Sequence, residues 1–175
     1  MFSLAFILIF ALVGCGDKTK ENVEGDVNTE GTETKDTKDT KDTKSDKAAD
    51  DEKEINEVIV DNENVKATLV KIVKVDDETW GKTIEVVFDV ENKRSDSIEV
   101  QAREVSADGR MIDETLLTMS QEVAPGKAAT AKLQISEYED YDFPELTSDF
   151  EMQLHIFSWD NYDYEEDHPV KVTFK

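Results

Sequence analysis

The stretch DNYDYEED, residues 160–167, holds five carboxylates: Asp160, Asp163, Glu165, Glu166 and Asp167. Oxygen donors crowded on one loop are the chemistry of calcium, which takes roughly six to eight oxygen ligands. The spacing is not that of an EF-hand, so these five residues mark a candidate metal site of another kind. A second acidic group lies in EYEDYDFPELTSD: Glu137, Glu139, Asp140, Asp142 and Glu145. In so acidic a chain, the plainer expectation for both groups is a solvated surface. His155 and His168 are the general acid–base candidates. No His-Glu-x-x-His, glycine-rich phosphate loop or Gly-x-Ser-x-Gly accompanies them. The expectation is a protein that is not an enzyme, with no catalytic residues and no cofactor apart from the Ca²⁺ alternative.

The remaining reactive group is the single thiol, Cys15. It follows an uncharged apolar run, residues 2–13, with no Lys or Arg before it. A membrane-spanning helix needs roughly 20 residues, so this run is too short to cross a bilayer. It has the length of the apolar region of a secretory signal. The ending Leu12-Val13-Gly14-Cys15 resembles the lipobox of bacterial lipoproteins. That resemblance implies a diacylglyceryl group on the Cys15 sulfur and cleavage between Gly14 and Cys15. Residues 1–14 are then a signal peptide, and the mature chain is held on the extracellular face of the cell membrane. Each buried methylene contributes about 0.8 kcal/mol, so two acyl chains make a stable anchor. No thiol is left for a disulfide.

Charge narrows the partners. The 175 residues include 42 acidic and 20 basic side chains, a formal charge of −22. Nucleic acid is excluded, because binding it requires Lys and Arg to neutralise phosphates. Anionic lipid headgroups repel such a chain too, which leaves attachment to the membrane to the lipid on Cys15. Cationic partners are favoured.

Residues 15–54 contain no aromatic side chain and little that is apolar. They include a Thr-Lys-Asp repeat over 34–44. The composition predicts a disordered tether after the lipidated cysteine, with a mean reach of about 35 Å. Residues 55–175 are the expected domain, long enough for one core.

There the apolar residues alternate, as half-buried strands require. VKATLVKIVKV (65–75) places Val65, Ala67, Leu69, Val73 and Val75 on one parity. TIEVVFDVEN (83–92) does the same with Ile84, Val86, Phe88 and Val90, and SIEVQAREV (97–105) with Ile98, Val100 and Ala102. MIDETLLTMS (111–120) and AATAKLQIS (128–136) read as further strands. DFEMQLHIFSW (149–159) is the strongest, with Phe150, Met152, Leu154 and Ile156 on one face and His155 on the other. PVKVTFK (169–175) closes the chain. Asp108-Gly109 predicts a tight hairpin, and Ala124-Pro125-Gly126-Lys127 a type II turn. Residues 137–149 read as a loop with one short helical turn. The two acidic groups then flank one strand at opposite ends.

About seven strands without a helical period predict an all-β fold, an immunoglobulin-like antiparallel β-sandwich, with an up-and-down barrel as the alternative. Four apolar residues fall outside the predicted core and form a candidate binding surface. Val87, Phe157 and Trp159 lie on outward parity, and Trp80 sits in the turn DDETWGK.

The stretches VENKRSDSIEVQAREVSADGRMID, VAPGKAATAKLQIS and FEMQLHIFSWDNYDYEEDHPVKVTF carry a second resemblance. They look like a domain of uncharacterised Gram-positive lipoproteins and are similar in kind to telokin-like, immunoglobulin-like domains. The resemblance implies a fold and an address, and no activity. The expected function is that of a membrane-anchored, non-enzymatic binding module for an envelope protein or a small ligand. The alternative is a Ca²⁺-binding or cation-stabilised surface domain.

Overall fold

A computed structural model describes residues 18–27 and 54–174. The expected signal peptide, with Gly14, Cys15 and the Thr-Lys-Asp repeat, lies outside the described residues. Among the described residues twelve strands form two antiparallel sheets. They are β1 (Lys18–Asn22), β2 (Gly25–Val27), β3 (Glu57–Asp61), β4 (Val65–Asp77), β5 (Gly81–Asn92), β6 (Ile98–Ala107), β7 (Arg110–Met111), β8 (Leu117–Thr118), β9 (Gln121–Val123), β10 (Ala128–Ser136), β11 (Asp149–Phe157) and β12 (Glu165–Phe174). The first sheet runs β1-β4-β5-β10-β8, with β3 also on β4; the second runs β2-β12-β11-β6-β7, with β9 also on β6. This is an all-β sandwich whose frame is six long strands, with short strands along its edges.

The alternation determines the core. Ile84, Val86, Phe88 and Val90 of β5 face Phe150, Leu154 and Ile156 of β11 across the sandwich, all fully buried. Apolar residues at every second position bury one face of a strand, and two such faces close on each other about 10 Å apart. Both predicted turns are present. Asp108 and Gly109 have φ of 51° and 73° and join β6 to β7, while Gly126 has φ of 63°. Lys127 donates its N–H to the Ala124 carbonyl at 3.1 Å, closing that turn.

Among the described residues three register shifts occur, and those in β4 and β6 alter the parity expected from the sequence. β4 gains a residue at Val70, since Leu69 pairs with Phe88 but Lys71 with Val87. Beyond it Ile72, opposite Val86, enters the core, while Val73 and Val75 turn to the outer face. In β6, Gln153 faces Arg103 but Glu151 faces Ser106, and Glu104 takes a φ of 52°. Val105 and Ala107 then re-enter the core that Ala102 had lined. A bulge lets two residues oppose one, so every side chain after it changes face.

Two segments depart from expectation. Residues 111–120 are not one strand. Met111 ends β7, Glu114–Leu116 form a 3-10 turn capped by Asp113, and Leu117–Thr118 pair with β10 in the other sheet. Residues 137–148 hold no helical turn. A β-turn closes from Tyr141 N–H to the Tyr138 carbonyl at 3.2 Å, and Leu146 is buried in the core.

The tether reading is also corrected over its described part. β1 pairs with the lower half of β4, from Lys18↔Asp77 to Asn22↔Val73. The chain then crosses to the second sheet, where β2 pairs with the end of β12. It returns as β3 on the upper half of β4. The join is nearly continuous: Val23 N–H donates to the Ile72 carbonyl at 2.9 Å and Ile55 N–H to the Val70 carbonyl at 2.7 Å. One edge is thus completed by two distant pieces of sequence. Polar residues suffice there, because an edge strand gains from backbone hydrogen bonds even with few side chains to bury.

Candidate functional site

The outer face of β11 carries the candidate residues that come together. Gln153, His155 and Phe157 alternate outward, and Trp159 follows just past the strand end. The His155 and Phe157 rings lie 5.1 Å apart, tilted by 32°. Phe157 and Trp159 lie 4.9 Å apart, edge to face at 82°. His155 stands between Asp167 of β12 and Gln101 of β6, and Phe157 between Glu165 and Glu99. Asp167 lies 2.7 Å from His155 Nδ1 and orients the ring. Glu99, nearly buried, accepts the Ser120 hydroxyl. The stripe ends at Trp159, which is 63% exposed. Carboxylates therefore flank a row of rings.

A groove of about 960 Å³ adjoins this row, lined among others by Gln101, Arg103, Met111, Met119, His155 and Asp167. It opens along the edge of β6 away from β11, where β6 has strand partners only at its ends, β9 at Ile98–Val100 and β7 at Ser106–Ala107. The bulge at Glu104 lies in that unpaired stretch and bends the edge, a device that discourages indiscriminate strand pairing.

The five acids proposed as a metal site do not converge. DNYDYEED is only partly a loop, because β12 begins at Glu165. Alternation then sends Glu165 and Asp167 to the outer face and Glu166 to the other. Glu166 accepts from Asn62 at 2.8 Å, Asn64 at 2.8 Å and His168 Nε2 at 2.9 Å. Burial pushes its pKa up, but these donors outweigh it and hold the carboxyl below its ordinary value. Asp160 and Asp163 are exposed, their backbone N–H groups bonded to Ser158 Oγ and Asn161 Oδ1. Among the described residues no three Asp, Glu, His or Cys side chains are placed to hold a metal ion.

The other surface candidates divide. Val87 is buried, contrary to its outward parity. Lys71 and Lys132 stand opposite it on the neighbouring strands, and Lys132 reaches across to Glu85 at 3.1 Å. Aliphatic stems of lysines cover apolar surface while keeping their charge in water. Trp80 is 80% exposed but sits in the β4–β5 turn, at the end of the sandwich away from Trp159.

Sequence reasoning passed over the polar network of the Trp159 end. Asn92 is fully buried and donates to the carbonyls of Asp96 at 2.8 Å and Val123 at 2.9 Å, while its Oδ1 accepts from Arg94 N–H. Arg94 pairs with Asp96 at 2.8 Å, which holds that carboxyl below its ordinary value. The Arg94 guanidinium lies 3.7 Å from the centroid of the Tyr164 ring. The only sequence signal was an amide at the end of the apolar face of β5.

No protein-family model matches the chain, and no curated protein matches it. The crystal structure of a FixG-related protein from Vibrio parahaemolyticus is similar at a TM-score of 0.33 and 12% identity, covering 55% of this chain and 82% of that chain. At that level the likeness carries no argument about this chain. Fold and site together define a class only: a β-sandwich with an aromatic and acidic outer face.

Proposed function

We propose that this is a lipid-anchored protein of the outer face of a cell membrane, a binding module and not an enzyme, whose β11 face takes a cationic ligand or a basic segment of an envelope protein. One observation carries the ligand chemistry: His155, Phe157 and Trp159 form a continuous row with Glu165 and Asp167 beside it. Ring faces attract ammonium and guanidinium groups within about 6 Å, and adjacent carboxylates add charge complementarity. The net charge of −22 favours encounter with such a partner. The anchor rests on the Leu12-Val13-Gly14-Cys15 resemblance.

Titration of Trp80→Phe protein, in which Trp159 is the only tryptophan, tests the ligand class. An arginine-rich peptide should change Trp159 emission, salt should weaken the response, and Glu165→Gln with Asp167→Asn should remove it. An equal response to neutral or acidic peptides would overturn the reading. Fractionation of cells expressing Cys15→Ser tests the anchor: the protein should leave the membrane fraction, and retention there would refute lipidation.

A further inference from the structure

The start of β1 and a cluster of exposed aromatic residues lie at one end of the sandwich. Only Gly16 and Asp17 separate Cys15 from Lys18, the first residue of β1. Three residues of chain reach at most about 11 Å. Lys18 stands opposite Asp77 in the β1–β4 ladder, and its Nζ lies 3.0 Å from the Asp77 carboxylate. Asp77 also accepts the N–H groups of Thr79 at 2.9 Å and Trp80 at 3.2 Å. The Thr79 N–H and the Lys18 ammonium hold its carboxyl below the ordinary range. One residue therefore ties the start of β1 to the turn that exposes Trp80.

The loop after β10 joins the same end. Glu137 accepts Lys82 N–H at 2.9 Å and donates its own N–H to the Lys82 carbonyl at 2.8 Å. Next to it, the Tyr138 and Tyr141 rings meet edge to face at 6.1 Å, with Tyr138 64% exposed. Trp and Tyr with a solvated polar end favour the membrane interface.

We propose that this end, carrying Trp80, Tyr138 and Tyr141, seats in the interface of the lipid bilayer, and that the Trp159 end of the β11 face is held away from it. This rests on lipidation of Cys15. The occupant is a bilayer because Cys15 is three residues from Lys18, which Asp77 ties to the turn that carries Trp80. Trp159 then stands about 40 Å from the lipid, the length of a strand such as β5. The charge at the seated end is adverse: Glu78, Glu137, Glu139, Asp140 and Asp142 crowd it. The acyl chains bring these groups to the surface against that repulsion, and salt screens it. Seating should therefore strengthen with ionic strength, the reverse of a basic membrane-binding segment.

The test uses protein purified from the membranes of expressing cells and reconstituted into vesicles of phosphatidylcholine with anionic phosphatidylglycerol, their acyl chains brominated. Mass spectrometry of the N-terminus reports separately whether Cys15 carries lipid. In lipidated Trp159→Phe protein, Trp80 emission should be quenched and shifted to the blue, more so at higher salt. In lipidated Trp80→Phe protein, Trp159 emission should be unchanged. Quenching of Trp159 in place of Trp80, or of neither, would overturn the orientation while leaving the anchor intact. An N-terminus without lipid would overturn the anchor, and the orientation with it.

Discussion

The two ends of the sandwich have similar compositions and opposite constructions. Each joins acidic residues to aromatic ones. At the Trp159 end three polar groups are turned inward: Asn92 is fully buried, Arg94 covers the Tyr164 ring, and Glu166 is held by two amides and an imidazole. At the Trp80 end the rings stand in solvent and most carboxylates are exposed. Composition alone does not distinguish a structural network from a presented surface. The difference lies in whether each charge has a fixed donor, since a satisfied polar network rigidifies and an unsatisfied one must stay hydrated.

Replacement of Asn92 should break the comparison most strongly. Asn92→Ala strands two carbonyls and the Arg94 N–H, and should cost about 3 kcal/mol. Urea denaturation measures it, and a loss below about 1 kcal/mol would show that the network is not structural.

Asp108 gives the next effect, at the opposite end. Its carboxylate accepts the N–H groups of Thr147 at 2.9 Å and Ser148 at 2.6 Å, and the Ser148 hydroxyl at 2.9 Å. Burial raises its pKa, but these donors outweigh it and leave the group well below the carboxylate range. Asp108→Ala should cost about 2 kcal/mol by urea denaturation, since it loses the bonds and strains a left-handed residue. Asp108→Asn should cost less, because Asn tolerates that conformation and keeps one acceptor.

The sign of the acid dependence follows from the same groups. Asp96, Asp108 and Glu166 all have folded pKa values below their unfolded ones. Their stabilisation is present above the unfolded values, near pH 4, and is lost as pH falls through the folded ones. The melting temperature should hold from neutrality to about pH 5 and fall below about pH 4. Asp108→Asn should flatten that fall. Glu166→Gln should do so less, and should lower stability at neutral pH by about 1 kcal/mol.

The smallest effect on stability is expected at the exposed rings. Trp80→Ala and Trp159→Ala should each stay within about 0.5 kcal/mol of the parent by urea denaturation. A larger loss at Trp159 would mean that the stripe holds the fold together, and would weaken its reading as a binding face.

Much of the frame was legible because strands and tight turns are local. The parity of β5 and β11, the Asp108-Gly109 hairpin and the Gly126 turn all follow from neighbours in sequence. The candidate surface was legible only in part. Phe157 and Trp159 share the stripe, whereas Val87 is covered and Trp80 stands at the other end.

By itself, then, the sequence determined that the chain is β-rich, where its turns fall, which strand faces are apolar, and that its charge favours cations. Tertiary structure alone decided that residues 18–27 complete two sheet edges, that bulges at Val70 and Glu104 exchange faces, and that the acids of 160–167 go to different partners. The physical reason is range. Alternation and turn conformations are set over a few residues by sterics, whereas edge pairing, register and the choice of a donor depend on groups that only the fold brings together.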